Sequence, residues 1–404
     1  MNSAAGGAAI STIELIEALR KRGIDSVVAC IPSGNQEELD RVRQAARGRV
    51  LFRPLYWWNR KIRAPLWRRP FIEAKLLWRT GLVRGSTRDV ASFAQGMQVD
   101  LIHTNTILTP EGGYAAQRLH LPHIWHVREL IGPGRPFRFH IEGRRFGDFV
   151  TQYASYVLAN SQTTADQIAA WLPENRLCVV PNGIDATRFV PARSDTPHSP
   201  LVVAMVGNLS STWKRHDAFI EAAGLVDRKL QIEFRFYGRE SADAEERARL
   251  HRRAAELKLT DRFRFMGFVN DPVQIMSDID ALVHMSEDES FGRIYVEAMA
   301  AGKPVIAARG GAAPEIVQHG ITGFLTDSGN PREIASCIEQ LAREPNLHHR
   351  FSAACIRRAE EFSLERTVDL LEVVYRMALN RGVDQPATYK SAPSSKSATQ
   401  SAQL

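Results

Sequence analysis

Strand-like and helix-like segments alternate along this chain in two successive series, and that alternation limits the fold more than any other feature. Short apolar runs at 26–31, 50–52, 99–103, 123–127, 156–159 and 177–180 form the first series. Helical patterns separate them, as at 163–171. Runs at 201–206, 232–237, 263–266, 281–284, 305–308 and 323–325 form the second, again with helical spacing between. Strands that alternate with helices need crossover connections, which give a parallel sheet with helices on both faces. The expected class is therefore α/β, with two doubly wound, Rossmann-like domains facing a cleft. A length of 404 residues suits two domains of ordinary size.

The joint between the series is a polar segment, 191–200, with Pro191, Pro197 and Pro200, and it is read as a linker. The expected organisation is a first domain over 1–190, the linker, a second domain over 201–363, an amphipathic helix over 364–380 and a tail over 381–404. The tail is rich in Ser, Ala, Thr, Gln and Lys, so disorder is expected there. The start is unusual. An α/β domain normally opens on a strand, but here a small, Gly-rich stretch leads directly into a helical pattern at 10–21 (Ile13, Ile16, Leu19). The first strand of the first domain is therefore expected to be missing. Gly6 and Gly7 would lie in a loop, as a terminus or as a ligand loop.

The segment 288–315 carries the densest chemistry. Glu289 and Glu297 lie on either side of a Phe291-Gly292 turn. A helix from about Gly292 to Ala301 follows, then a buried strand, then a Gly310-Gly311 loop with a third acid, Glu315. Such loops fit the carboxyl-end rim of a parallel sheet, where open α/β folds bind ligands. Glu297 sits among Ile, Val, Ala and Met, a poor site for an unpaired charge. The plain alternative is a salt bridge to a nearby arginine, with Glu289 on a solvated acidic surface. Val206-Gly207-Asn208, followed by Lys214-Arg215, reads either as a phosphate-binding turn or as an ordinary strand-to-helix turn. His126 ends a strand beside Arg128 and Glu129. His120, His123 and His126 do not read as a metal set, because period-two alternation puts His123 and His126 on opposite faces.

These motifs together resemble the retaining glycosyltransferases of family 4, the group 1 glycosyl transferases with the two-domain GT-B fold. The resemblance rests on the Glu-x7-Glu pattern from Glu289 to Glu297, on Pro181-Asn182-Gly183-Ile184-Asp185 with Phe189, on Ala159-Asn160-Ser161, and on the Gly-Gly-x-x-Pro-Glu loop. It covers about residues 6–377. It implies that Glu297 holds the ribose of a nucleotide-sugar donor. Glu289, with the amides of Phe291 and Gly292, would meet the transferred sugar and the diphosphate. Lys214 would neutralise the leaving diphosphate, His126 would face the donor sugar, and Gly6 and Gly7 would lie near phosphate and acceptor. The last helix would cross back to the first domain. Gly207 and Asn208 belong to the same donor rim. Many members have Arg at the position of Asn208, so a diphosphate contact is missing here or comes from Lys214, Arg215 or Arg293. His126, Lys214 and Glu289 are the expected catalytic residues. Neither a cofactor nor a metal is expected, and the nucleotide sugar is a substrate.

Composition adds two constraints. The four cysteines form no Cys-x-x-Cys pair, and no signal peptide or spanning run is visible, which fits a cytoplasmic protein. The net charge of +7 favours acidic partners. Much of it lies in 53–88, where Trp57, Trp58, Trp67 and Trp78 interleave with arginines and lysines. This stretch reads as a solvated helical face, as a nucleic-acid surface without a recognition motif, or as an interfacial anchor on the inner face of the cell membrane. The anchor fits best. The expected partners are a nucleotide-sugar donor, a carbohydrate or lipid-linked acceptor and an anionic membrane surface, with no nucleic acid. Bacterial-type polysaccharide or glycolipid biosynthesis is the expected setting. The competing functions are a GT-B-like nucleotide-sugar epimerase and a non-catalytic basic binding protein.

Overall fold

A computed structural model describes residues 7–32, 36–56, 59–60, 69–131, 138–139, 143–189, 198–209, 214–239 and 244–380. The first half contains α1 (Gly7–Lys21), β1 (Val28–Cys30), α2 (Gln36–Ala45), β2 (Val50–Phe52), β3 (Asn59–Arg60), α3 (Arg69–Gly96) and β4 (Ile102–Thr104). It continues with α4 (Glu111–Leu119), β5 (His123–Val127), β6 (Arg138–Phe139), α5 (Arg144–Tyr153), β7 (Tyr156–Ala159), α6 (Gln162–Ala169) and β8 (Leu177–Val179). The second half contains β9 (Leu201–Val206), α7 (His216–Leu225), β10 (Ile232–Tyr237), α8 (Ala244–Glu256), β11 (Phe263–Gly267), α9 (Pro272–Ser277) and β12 (Ala281–His284). After these come α10 (Arg293–Ala300), β13 (Val305–Ala308), α11 (Ala313–Ile316), β14 (Gly323–Thr326), α12 (Pro331–Arg343), α13 (Pro345–Glu360) and α14 (Leu364–Asn380).

The second half is one parallel sheet in the order β11-β10-β9-β12-β13-β14. Its central strands β9, β12 and β13 are apolar on both faces, as a sheet covered by helices on both sides requires, while β10 and the edge strand β11 carry Glu233, Arg235 and Arg264 at their less buried positions. Alternation along β9 divides the core. Val203 and Met205 join Phe219 of α7, Leu250 of α8 and Ile334 of α12 on one face. Val202 and Ala204 join Ile275 of α9, Val296 and Met299 of α10 and Cys355 of α13 on the other. The strand order reverses between β9 and β12. That reversal opens a crevice beyond the carboxyl ends of these two strands, the place where doubly wound sheets take ligands.

In the first half the parallel sheet is split into β1-β2 and β4-β5-β7-β8, with a small antiparallel pair β3-β6. The second half explains the split. There the first strand, β9, is the one that joins β10 to β12, and among the described residues the first half has no counterpart. Helix α1 spans both pieces. Leu15 and Leu19 pack with Ile124 and Leu158 of the four-stranded sheet. Ile13 and Ile16 pack with Val28 and Ala45 on the other side. Gly7 is the first residue of α1, so the structure places it in a helix rather than in the expected loop, while Gly6 lies outside the described residues. The strand expected at 99–103 is displaced to Ile102–Thr104, in register with His123–Trp125.

Helix α14 packs against the first half. Val368, Leu371 and Val374 share a cluster with Leu15 and Leu19, and Arg22 pairs with Asp369 at 2.7 Å. The linker at 191–197, the tail from 381 and the side chains of Trp57, Trp58, Trp67 and Trp78 lie outside the described residues. No helix among the described residues is long and apolar enough to cross a membrane.

Candidate active site

The crevice between β9 and β12 gathers the expected cation and one of the two expected acids. Gly207 follows β9 with its amide on the Tyr237 carbonyl at 2.8 Å. A Cβ at Gly207 would meet the Lys214 stem at 2.8 Å, so the missing side chain is what lets the lysine lie against the strand end. From there Lys214 Nζ reaches Glu289 Oε1 at 3.3 Å. His284, the last residue of β12, donates to the same oxygen at 3.1 Å. Burial resists ionisation of Glu289, but the Lys214 charge and the His284 hydrogen bond outweigh it and hold the carboxyl well below its ordinary range.

Backbone contacts fix the loop that carries Glu289. Ala312 N donates to the Glu289 carbonyl at 2.9 Å. Gly311, at φ +55°, comes so close to the Glu289 backbone that a Cβ would stand 2.5 Å from its carbonyl oxygen. Helix α10 then begins after Gly292. Phe291 turns its side chain away from the crevice into the core, against Phe362.

One turn into α10, Glu297 is buried and paired with Arg293 at 3.1 Å. The plain alternative drawn from the sequence, a salt-bridged Glu297, therefore describes its state here. Burial raises the Glu297 carboxyl, and Arg293 opposes that rise. Arg293 also reaches across to the first half, where its NH1 meets Glu14 at 2.9 Å and Ser11 Oγ at 2.9 Å. Arg188 adds to the chain, touching Glu14 at 3.1 Å and Asp271 at 3.3 Å. Arg293 is thus committed to an ionic network between the halves. Arg215 reaches Ser328 at 3.5 Å and Glu287 at 3.9 Å. Asn208 uses its Oδ1 to accept from the Arg239 amide at 3.2 Å, tying the β9 turn to the β10 turn.

Two expected groups lie differently from their sequence reading. His126 has no exposed surface, and neither of its ring nitrogens makes a well-formed hydrogen bond among the described residues. It stacks on His103 with centroids 5.4 Å apart, and His103 Nδ1 meets the Tyr375 hydroxyl of α14 at 2.7 Å. Burial, with the charge of Arg128, drives the His126 ring neutral. Glu315 is not an open rim carboxylate. It accepts from the amides of Gln162 and Thr163 at 2.7 and 2.6 Å, across the cleft at the start of α6. Ser290 crosses the same boundary, donating to the Arg128 carbonyl at 2.6 Å.

His123 spends both ring nitrogens, on Thr104 Oγ1 and the Tyr153 carbonyl, each at 2.7 Å. Among the described residues no group of three His, Cys, Asp or Glu side chains is placed to hold a metal ion.

Three groups escaped the sequence reading. His284 ends an otherwise apolar strand, which is a legible signal. Glu14 is a helix residue with no local hint of its partner. Phe268, partly exposed after β11, lies under the Arg239 guanidinium at 4.0 Å, beside the Gly207 and Gly238 turns.

Two α/β units, with a cation and an acid gathered at the carboxyl-end crevice of the second, have the architecture of the GT-B glycosyltransferase class. Known proteins agree. The family model described as Glycosyltransferase Family 4 matches residues 5–188, and the one described as Glycosyl transferases group 1 matches residues 187–358. The chain belongs to this family of glycosyltransferases. A D-inositol 3-phosphate glycosyltransferase of Thermobifida fusca is 27% identical over 326 residues, 74% of each chain. An N-acetyl-alpha-D-glucosaminyl L-malate synthase of Bacillus anthracis is 31% identical over 159 residues, 39% of this chain and 40% of its own. Among solved structures, Anabaena HepE in complex with UDP and glucose superposes with a TM-score of 0.73 at 23% identity, covering 93% of this chain and 98% of HepE. A glycosyltransferase from Rickettsia africae gives 0.76 at 18%, covering 95% and 98%. These superpositions support the fold.

Proposed function

We propose that this protein transfers a sugar from a nucleotide-sugar donor to an acceptor hydroxyl with retention at the anomeric carbon. The observation that carries this reading is the pairing of Lys214 and Glu289 at the β9–β12 switch point, with Glu297 one helical turn into α10. In both acids one oxygen is held by protein cations or N–H groups, while Oε2 has no hydrogen-bond partner among the described residues. Two half-satisfied carboxylates suit two sets of sugar hydroxyls: the ribose at Glu297 and the transferred sugar at Glu289. Phe268 under Arg239 supplies a flat surface for the base at the neighbouring strand ends. The HepE complexes contain UDP or UDP-glucose, which makes a uridine nucleotide the first donor to try.

The reaction follows from the charges. The bond from the anomeric carbon to the diphosphate oxygen breaks, and negative charge builds on the diphosphate. Lys214 is the group proposed to neutralise that charge, with Arg215 and the amides of Phe291 and Gly292 as further donors. The acceptor oxygen forms its new bond on the face the diphosphate leaves, and the departing phosphate oxygen takes the acceptor's proton. For His126 to face the donor sugar from the first half, its ring must first be uncovered, since it has no exposed surface here. This arrangement supplies the positive charge without calling on a metal.

Replacement Glu297→Gln tests the donor reading. Losing charge-assisted hydrogen bonds to the ribose is expected to lower kcat/KM for the donor about 10- to 100-fold. The fold should persist, because Arg293 keeps Glu14 and an amide oxygen as partners. Unchanged donor kinetics would remove the ribose assignment. Product analysis with and without acceptor separates transfer from epimerisation.

The acceptor is proposed to be a carbohydrate or lipid-linked sugar of envelope polysaccharide or glycolipid synthesis, with the basic, Trp-rich 53–88 segment resting on anionic lipid. Co-sedimentation with anionic liposomes is expected to weaken as salt rises. It should also weaken on alanine replacement of Trp57, Trp58 and Trp67. If neither change affects sedimentation, the anchor is wrong.

A further inference from the structure

We propose that His284 is a positioning residue for the transferred sugar, fixing the orientation of Glu289 while Lys214 turns to the diphosphate. The inference rests on the donor reading above and adds a residue that this reading does not need.

The geometry begins with the strand. β12 is apolar and fully buried along its length, and its last residue is a histidine with 1% of its surface exposed. Its Nε2 lies 3.1 Å from Glu289 Oε1. Burial, then the Lys214 charge, push the imidazole toward its neutral form. An ionised carboxylate can only accept, so the neutral ring must carry its proton on Nε2 and donate it to Glu289. The ring is not free to swing. Tyr295, fully buried, meets it edge-on at 5.3 Å and 80°. The Tyr295 ring in turn fills the space beside Gly292, where a Cβ would lie 2.3 Å from it. Strand, imidazole, tyrosine and turn form a rigid wall behind the carboxylate.

Lys214 and His284 share Oε1 but differ in kind. Lys214 is a partly exposed ammonium on a four-carbon stem, and the donor reading gives it a second, stronger anion to neutralise. Once a diphosphate enters, the lysine is drawn toward it and its hold on Glu289 loosens. His284 has no such alternative. It keeps Oε1 in place and so keeps Oε2 turned toward the sugar. A side chain this close to the reacting sugar needs such support, since small displacements of positioning groups cost large factors in rate.

Three replacements separate positioning from bulk. His284→Gln places an N–H close to where Nε2 stood. His284→Asn has the same chemistry but is too short to reach Glu289. His284→Leu keeps volume without a donor. UDP and UDP-glucose binding are measured by calorimetry on the full chain, together with the kinetics of sugar transfer from UDP-glucose. For the Leu and Asn variants, UDP affinity should stay within about twofold of the parent, while kcat falls about 10- to 100-fold, the range for a lost hydrogen bond to a charged group. The extra affinity that glucose adds to UDP should disappear with it. The Gln variant should recover most of both. If the parent binds both ligands and all three variants behave alike, or none changes kcat, the positioning role is overturned alone. If the parent binds neither these ligands nor the corresponding adenosine, guanosine and thymidine diphosphate sugars, the donor reading falls and this inference falls with it.

Discussion

Lys214→Ala is expected to lower kcat for sugar transfer by about 10²–10³-fold, the usual loss when one preorganised group facing a developing anion is removed. The residue stands at the switch point of the sheet, held against the β9 end by the space Gly207 leaves. The two side chains are each only about a fifth exposed, so removing the lysine should also cost some stability, though less than the roughly 3–5 kcal/mol of a fully buried pair, because His284 still donates to the carboxylate. The same change should move the acid side of the pH–rate profile. Burial resists ionisation of Glu289, and the lysine charge is the foremost influence holding its carboxyl down. Without that charge the pKa of Glu289 rises, so the carboxylate is lost at a higher pH on acidification. The acid limb should therefore shift toward neutrality. Lys214→Arg restores the charge and should return the limb, though with imperfect geometry. Rate profiles with a saturating nucleotide sugar check both effects. A kcat within a few-fold of the parent would remove Lys214 from the chemistry.

How much of this was legible without coordinates depends on the range of each interaction. The second half was legible almost strand by strand. Fully buried parallel strands are continuous apolar runs, and β9, β12 and β13 fall at the residues their hydropathy marks, while β10 shows as an alternation broken by Glu233 and Arg235. The turn between Glu289 and Glu297 was legible because Gly292 announces the start of a helix. The first half was less so. β4 forms where it can pair with His123–Trp125, a choice made by a neighbour 21 residues away rather than by its own sequence. Gly7 joins a helix because the rest of α1 has two sheets to bury its apolar residues against. The side-chain links between the halves left no local trace. Glu315 meets Thr163, and Tyr375 meets His103, across separations that no periodicity encodes. A rim carboxylate and a helix-capping carboxylate look the same in a sequence. His284 was different, since a lone histidine closing an apolar strand was visible but carried no motif.

The largest stability effect is expected from Arg293→Ala, through the same blindness to range. The guanidinium sits between Glu297, four residues on, and Glu14 of α1, with all three side chains about one-tenth exposed. Removing it leaves two buried carboxylates without their shared cation, and breaking such a buried pair costs about 3–5 kcal/mol. The loss should depend on pH in a definite direction. Burial already raises the Glu297 carboxyl, Arg293 counters that rise, and Glu14 adds to it. Without Arg293 the folded-state pKa climbs further above the unfolded value, so the folded variant binds more protons than its unfolded chain. Its stability then falls as pH rises through that interval and recovers on acidification. The gap in melting temperature between variant and parent should be wider at pH 8 than at pH 5. Adding Glu297→Leu to an Arg293→Leu change should recover part of the loss, because an apolar pair avoids the stranded charge. The network also ties α10 to α1, so the single variant should loosen the two halves and expose the cleft to proteolysis. A melting temperature that is unchanged at both pH values would mean that the arginine is solvated in solution and that the halves are held by Glu315, Ser290 and α14 instead.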